Sequence, residues 1–592
     1  MKRVEKYLSQ RNLWLLTGLL VFSYLLLRAF WVPFSHDEIG TYFHYIQKEE
    51  FFPGNAQWDA NNHLLNSLLS IICYHLFGND VIFLRLPNLL SFVLFMVSGW
   101  KISRYIQHGW LQNLLLVTLV FSHGFTEFFA LGRGYGISMG FMMLQLWMLM
   151  KCSQTPALKW MLVFAAAGVL SVYANLTLLP LAIIQAFLLI LILFLRKEKS
   201  NIVKGLWMAT VMGVLLLPAA VFGFALNERG ALYYGGSDFY NLTVQRLEFM
   251  MWGGYTWWSD AIIITVFLVV TGGLAFLLIR KKSSFTSVIF PVVFFLSLLS
   301  VFAQHFILGI NYPEDRTGMY LFPLLALSFF FLLDRINIRY LRLISLMVLI
   351  LPVHFISVMN VSGITVWRYQ GMPERFYRFI RNDYRGDRPF LAASQKLLGF
   401  SWTWHDHTLD PPLGPVQHYK HTDGLADYVI STPVFAGEID FSLYDKVDED
   451  EWSGLFLLKK KNPVKLNLIS DTVHPPGVFV KGDEFYGLQL IPADSFESKT
   501  LAVRVTGFIT TYDPVFYGMI TWSGGTKDDP GYYYEQYHMD WYRRYIHRFD
   551  VTYMLKKIPP GMDVIKIYMF NTRSQEYTVN TMRVETYEVE LN

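Results

Sequence analysis

About twenty consecutive apolar residues make a helix long enough to cross a bilayer, and this chain carries about eleven such runs before residue 360 and none after it. They fall at 13–31, 83–102, 111–128, 135–150, 160–174, 176–195, 205–226, 261–279, 287–308, 318–333 and 341–359. In hydrocarbon only helices and closed barrels satisfy their own backbone, and runs of this length predict helices. A further run at 63–77, HLLNSLLSIICYHLF, is short and polar at both ends, which suits a helix lying in the interface.

Composition follows the same division. Residues 1–360 hold 25 Lys+Arg and 16 Asp+Glu; residues 361–592 hold 25 and 30. The first part is charge-poor and net positive, and the second has an ordinary soluble composition. The overall charge of +4 is no argument for nucleic acid. Two cysteines, Cys73 and Cys152, lie in apolar stretches and give no disulfide framework.

Basic residues set orientation. The N-terminal MKRVEKYLSQRN and the loops bearing Lys101 and Arg104, Lys151 and Lys159, Arg196 to Lys204, Arg280 to Lys282, and Arg335 to Arg342 share one side if 63–77 does not cross. That side then collects 18 of the 25 basic residues and three acids. The expectation is a retained N-terminal anchor, a cytoplasmic N-terminus, and a C-terminal part facing outward.

Three domains are expected: 1–360 in the membrane, 361–461 as an α/β segment, and 477–592 as a β-sandwich. In the α/β segment PERFYRFIRNDY reads as helix, and PFLAAS, DYVIST and LFLLKKK as short strands. The proline-bearing stretch 462–476 reads as a linker. Beyond it TLAVRVTGFITT, VFYGMITW, VIKIYMF and TMRVETYEVEL alternate as sandwich strands do. Aromatics in GYYYEQY and MDWYRRY fit either sugar stacking or sandwich core.

Charges beside a bilayer usually face a cavity. On the outward side they fall in SHDEIGTYFHY (Asp37, Glu38), in DANNH (Asp59 to His63), in EFFALGRGYG (Glu127, Arg133) and in NYPEDRTGMYLFP (Glu314, Asp315, Arg316). Arginine binds phosphate oxygens through a planar fork of donors, and a neighbouring carboxylate can serve as a base. Acids and arginines at one lipid face suit a substrate with an anionic head group. The loop 227–258, with Arg229, Asp238, Arg246 and Glu248, reads either as part of an acceptor groove or as an interfacial aromatic belt. The stretch His405, Asp406, His407, His418 and His421 lacks a zinc spacing and reads as surface histidine.

In order and spacing, Asp37–Glu38, NNHLLNSLL, FGNDVIFLRLPNLLSF, FFALGRGYGISMGF and DRTGMYLFPLLAL resemble the motifs of polytopic GT-C glycosyltransferases. The branch they resemble holds dolichyl-phosphate-mannose protein mannosyltransferases and bacterial lipid A aminoarabinose transferases (glycosyltransferase family 39-like). The resemblance spans residues 13–359 and implies inverting transfer of a sugar from a polyprenyl-phosphate donor at the periplasmic face of a bacterial inner membrane. The implied acceptor is a protein, lipid A or a polysaccharide. Asp37 matches the general base, with Glu38 supporting it. Arg133, Arg316 and Arg85 match donor-phosphate ligands. His63, Tyr135, Glu127 and Tyr320 occupy motif positions that imply substrate contact. No metal is demanded, because phosphate is already a good leaving group. The family's Pro-Pro is missing after His63, and its Arg-Tyr pair is spaced here as Arg316 and Tyr320. Two rivals fit parts of the pattern: a transporter or flippase for a lipid-linked sugar, and a non-catalytic carbohydrate-binding membrane protein.

Overall fold

The computed structural model describes the chain apart from residues 1, 55, 198, 255, 280–284, 337–338, 366, 410–411, 419–422, 526–532 and 591–592. Residues 280–282 of one basic loop, His421, and Gly531 and Tyr532 of GYYYEQY therefore lie outside the described residues. The chain divides into two units, Met1–Val32 with Glu49–Val366, and Pro33–Lys48 with Trp367–Asn592. Residues 33–48, which the hydropathy pattern groups with the membrane part, cluster with the C-terminal part. The contacts that put them there join residues hundreds of positions apart.

All eleven apolar runs are helical. Among the described residues eight helices are long and apolar enough to cross a membrane: Gln10–Trp31, Val81–Ser103, Leu176–Leu195, Lys199–Glu228, Trp257–Ile279, Val288–Leu308, Asp315–Arg335 and Tyr340–Val358. Gly109–Val120 and His123–Ala130 bend by 66° and make a ninth if they form one span. Tyr135–Gln154 and Leu158–Ala174 account for the other two runs, and Leu64–Phe77 is the short helix. The outward leucines of the first helix, Leu15, Leu16, Leu19 and Leu20, are exposed, as a lipid-facing stripe requires.

Several polar side chains inside this unit pair with one another. Asn88 Nδ2 donates to Asn66 Oδ1 at 2.7 Å, and Asn66 Nδ2 donates to the Gly132 carbonyl at 3.1 Å. Arg28, fully buried in the first helix, meets Glu127 at 2.6 Å. It also donates to the carbonyls of Asn360 (2.7 Å) and Gly363 (3.0 Å). Glu127 accepts in turn from the backbone N–H and hydroxyl of Thr365, at 3.1 and 3.2 Å. Tyr24 and His123 close the network, 2.6 Å apart. One buried ion pair thus ties the first helix, the bend at 121–130 and the chain after the last span.

In the second unit a five-stranded sheet runs in the order 417–418, 392–394, 428–431, 455–460, 444–450, with its first three strands parallel and the rest antiparallel. Helices Glu374–Asp383 and Gly399–Thr408 supply Phe376, Tyr377, Ile380 and Trp402 to its core. Two further sheets form the β-sandwich. One orders Tyr533–His538, Gly518–Gly525, Val564–Asn571 and Phe485–Pro492. The other orders Ile546–Leu555, Leu501–Thr511, Glu576–Glu590 and Lys465–His474, with Val478–Lys481 also on Glu576–Glu590. The stretch 462–476, expected as a linker, is mostly the strand Lys465–His474, paired antiparallel with Glu576–Glu590. Its prolines flank the strand rather than interrupt it. An apolar cluster of Leu391, Leu425, Val464, Ala502, Met554 and Val589 joins the α/β segment to the sandwich.

In the histidine-rich stretch Asp406 is buried and His405 and His407 are half-buried. His405 Nε2 lies 3.1 Å from the Met372 carbonyl, and Asp406 accepts from Tyr377 Oη (2.9 Å) and the Leu413 and Gly414 amides (2.7 and 3.2 Å). Burial pushes Asp406 up to about 6 and His407 down to about 4. From the helix Gly399–Thr408, Asp406 thereby holds the loop at 413–414.

Two outcomes are expected. Replacing Glu127 with Leu leaves the Arg28 charge buried without its partner and should cost about 3–5 kcal/mol, seen as a lower melting temperature in detergent; the pair Arg28→Met with Glu127→Leu should recover most of it. Burial also drops His547 to about 3, helped by nearby Arg544. The unfolded ring takes up a proton that the folded ring refuses, so this stability is present above pH 6.5 and is lost as pH falls toward 3. His547→Phe should restore on the order of 2 kcal/mol at pH 4.5, measured by thermal unfolding against pH.

Candidate active site

Asp37 and Glu38 open the helix His36–Thr41, which continues as a wider turn over Tyr42–Ile46. Ser35 is the N-cap, and Glu38 reaches back to it, accepting from the Ser35 amide at 3.1 Å and its hydroxyl at 2.9 Å. This is a capping box, spelled S-H-D-E in the sequence. Glu38 is buried at 1% exposure, so its carboxylate shapes the helix start. Asp37 is half-buried one residue earlier, in the first turn, where backbone N–H groups and the helix dipole favour an anion. Its side chain is not used in the cap, and its carbonyl accepts from Thr41 Oγ1 at 2.9 Å.

The other sequence candidates lie in the first unit and fall into three groups by their contacts. His63, Arg133 and Tyr135 come together. The His63 and Tyr135 rings are edge to face at 4.8 Å, and the Arg133 guanidinium sits 5.9 Å from the Tyr135 ring centre. His63 Nδ1 lies 2.8 Å from the Ala174 carbonyl. Gly134 between them is obligatory, because a Cβ there would stand 2.1 Å from the Ala174 oxygen and 2.8 Å from His63 Cβ. The GRGYG motif is thus a backbone approach that delivers a buried arginine beside an imidazole and a phenol.

Arg316 forms the second group. Its guanidinium stacks on Tyr234 at 4.5 Å and donates to the phenol oxygen at 3.1 Å, while Tyr234 Oη donates to Asp315 Oδ2 at 3.2 Å. Asp315 has φ +47, a left-handed conformation that few non-glycine residues adopt. The loop 233–238 is pinned to this segment by a bridge between Gly236 and Tyr312. Arg246 pairs with Glu314 at 3.3 Å. Glu248, on the same loop, is fully buried; desolvation, with Asp260 next to it, pushes it up to about 7 while it accepts from Ser259 Oγ at 3.1 Å. Arg229 stacks on Trp58 at 4.3 Å, and Asp238 accepts from the Asn241 amide at 3.0 Å. Tyr320 is buried at the head of its helix.

The third group holds the first helix at its end. Arg85, fully buried, donates from Nη1 to the Ala29 and Val32 carbonyls at 3.2 and 2.8 Å, satisfying acceptors that helix termini leave open. Glu127 belongs to the Arg28 network. Arg85 and Glu127, which motif matching implies at phosphate and substrate, thus also hold the end of the first helix. Two side chains of these networks escaped sequence reasoning. Arg28 was hidden in an apolar run, although a lone charge inside a span is itself a signal. Tyr234 carried no signal, since only the fold sets it against Arg316.

Among models of known protein families none matches this chain, and no curated protein matches it. Among solved structures the chain is similar to ArnT from Cupriavidus metallidurans in the apo state, with 12% identity and a TM-score of 0.44 over 75% of this chain and 97% of that one. It is also similar to the same protein bound to undecaprenyl phosphate, with 13% identity and a TM-score of 0.40 over 76% and 97%. A third similar structure is the arabinosyltransferase EmbB from Mycobacterium smegmatis, with 10% identity and a TM-score of 0.40 over 97% of this chain and 64% of that one.

Proposed function

We propose that this protein is an inverting glycosyltransferase that moves a hexosyl or pentosyl group from a polyprenyl-phosphate donor to an acceptor hydroxyl at the periplasmic face of a bacterial inner membrane. The observation that carries the reading is Asp37: a half-buried carboxylate in the first turn of a helix that starts five residues after the first span ends, with its neighbour Glu38 consumed by the cap. A carboxylate in the first turn of a helix, close in sequence to a span, supports the reading of a base.

In this mechanism Asp37 takes the proton of the acceptor hydroxyl as its oxygen bonds to the anomeric carbon from the face opposite the phosphate. The bond between that carbon and the phosphate oxygen breaks, and its electron pair leaves with the polyprenyl phosphate. Arg316 and Arg133 stabilise the extra negative charge, Arg316 already oriented by Tyr234 and Arg133 by the Gly134 turn. Arg316 is half-buried, so its fork reaches a head group while its stem stays packed. His63 and Tyr135 line the Arg133 group and contact the donor.

The outcome that tests the base is turnover of the purified protein in lipid, read as release of polyprenyl phosphate from a panel of polyprenyl-phosphate sugars. Asp37→Asn should lower kcat by about 10²–10⁴-fold while the protein inserts and melts normally; near-normal turnover would reject the assignment. Arg316→Ala should weaken donor use by roughly 10–100-fold in kcat/KM, the range of a charged hydrogen bond of about 1.5–3 kcal/mol, and unchanged donor dependence would remove its clamp role.

A further inference from the structure

The helix that opens with Asp37 is held at its far end by the β-sandwich. Phe43 stacks on Trp541 with ring centres 5.8 Å apart and planes within 19°, and His44 meets the same indole edge-on at 6.1 Å. Gln47 Nε2 donates to the Trp541 carbonyl at 2.5 Å, and Arg543 Nη1 donates back to the Gln47 carbonyl at 2.8 Å, capping the last turn. Lys48 forms a nearly buried ion pair with Asp540. The α/β segment adds Trp404 against Tyr42 at 5.1 Å. Residues 539–543 are the connection between strands Tyr533–His538 and Ile546–Leu555, which lie in different sheets, so the anchor belongs to a crossing between the two sheets of the sandwich. Burial drops His44 to about 4 and leaves its ring neutral beside Lys48, while Asp540 is pulled to about 2, its carboxylate held charged by Lys48 and His538 against the cost of burial.

From residue 36 to 46 the backbone is continuously helical. A helical rod fixed at its C-terminal end transmits any tilt to its first turn. We propose that the Asp540–Arg543 connection is a positioning element for Asp37, which makes the C-terminal sandwich a working part of the transferase centre rather than an acceptor-binding appendage. This rests on the reading of Asp37 as the base. Trp541 and Arg543 act through the helix and touch no reacting atom. Asp540 and Lys48 set the depth to which the last turn seats.

Full-length protein in lipid, supplied with undecaprenyl-phosphate glucose, mannose and arabinose, tests this on the donor that the native chain turns over. Trp541→Ala should lower kcat about 100-fold with donor KM changed less than about threefold, the signature of a displaced base rather than a lost substrate contact. Trp541→Phe, which keeps a ring for Phe43, should return kcat to within about fivefold of native. Hydrogen exchange should quicken over residues 37–46 in Trp541→Ala and stay unchanged over 501–505 of the sandwich core. Arg543→Gln gives a milder version should the alanine variant fail to accumulate, and Arg375→Ala, on an exposed ion pair of the same unit, should leave kcat unchanged. Quickened exchange at 37–46 with native kcat overturns the proposal, as does a Trp541→Phe variant no better than Trp541→Ala. If native turnover does not depend on Asp37, the base assignment falls; if it depends on Asp37 and not on Trp541, the positioning role alone falls.

Discussion

The last turn of the first helix leaves carbonyls without an intrahelical partner. Arg85 meets two of them, and Arg28, one turn earlier, is neutralised by Glu127 and spends its remaining donors on the chain beyond the last span. Both guanidinium groups are fully buried, so each would be costly without these partners. The end of the first helix is therefore fixed by buried charges paired within its own unit.

Beyond residue 33 the constraint changes in kind. The segment 33–48 is held by a capping box at one end and by aromatic rings and an ion pair at the other. Between these fixed points lies a single half-buried carboxylate. Preorganisation of this sort removes the reorganisation that a mobile loop would need in each turnover. The Arg316 group is built likewise: a phenol fixes the guanidinium, and an aspartate in a left-handed turn fixes the phenol.

Much of the architecture was legible in the residues because it rests on local periodicity. Apolar runs gave the helices, and alternation in TLAVRVTGFITT and TMRVETYEVEL gave two central sandwich strands. The strand Lys465–His474 was missed because prolines at both ends resemble a linker, and the burial of Asp406 was missed because polar composition suggests a surface. Within the candidate site, the first-loop acids and the GRGYG arginine stood out as charges near apolar runs. The S-x-x-E spacing also marks Glu38 as half of a capping box. The partners of Tyr234 and Trp541 were not legible, since nothing in their neighbourhood encodes a residue so distant.

The discontinuous second unit also sets an order of events during synthesis. Gln47 and the backbone it contacts at Trp541 are 494 residues apart. At about 5–20 residues per second, the helix leaves the ribosome roughly half a minute to two minutes before its anchor exists. All the membrane helices after the first are made in that interval, with segment 33–48 still unseated. A truncated or stalled chain then carries its apolar helices with that segment unanchored. Completion of the polypeptide is thereby coupled to the seating of residues 33–48, a safeguard written into the chain's order rather than into any one residue.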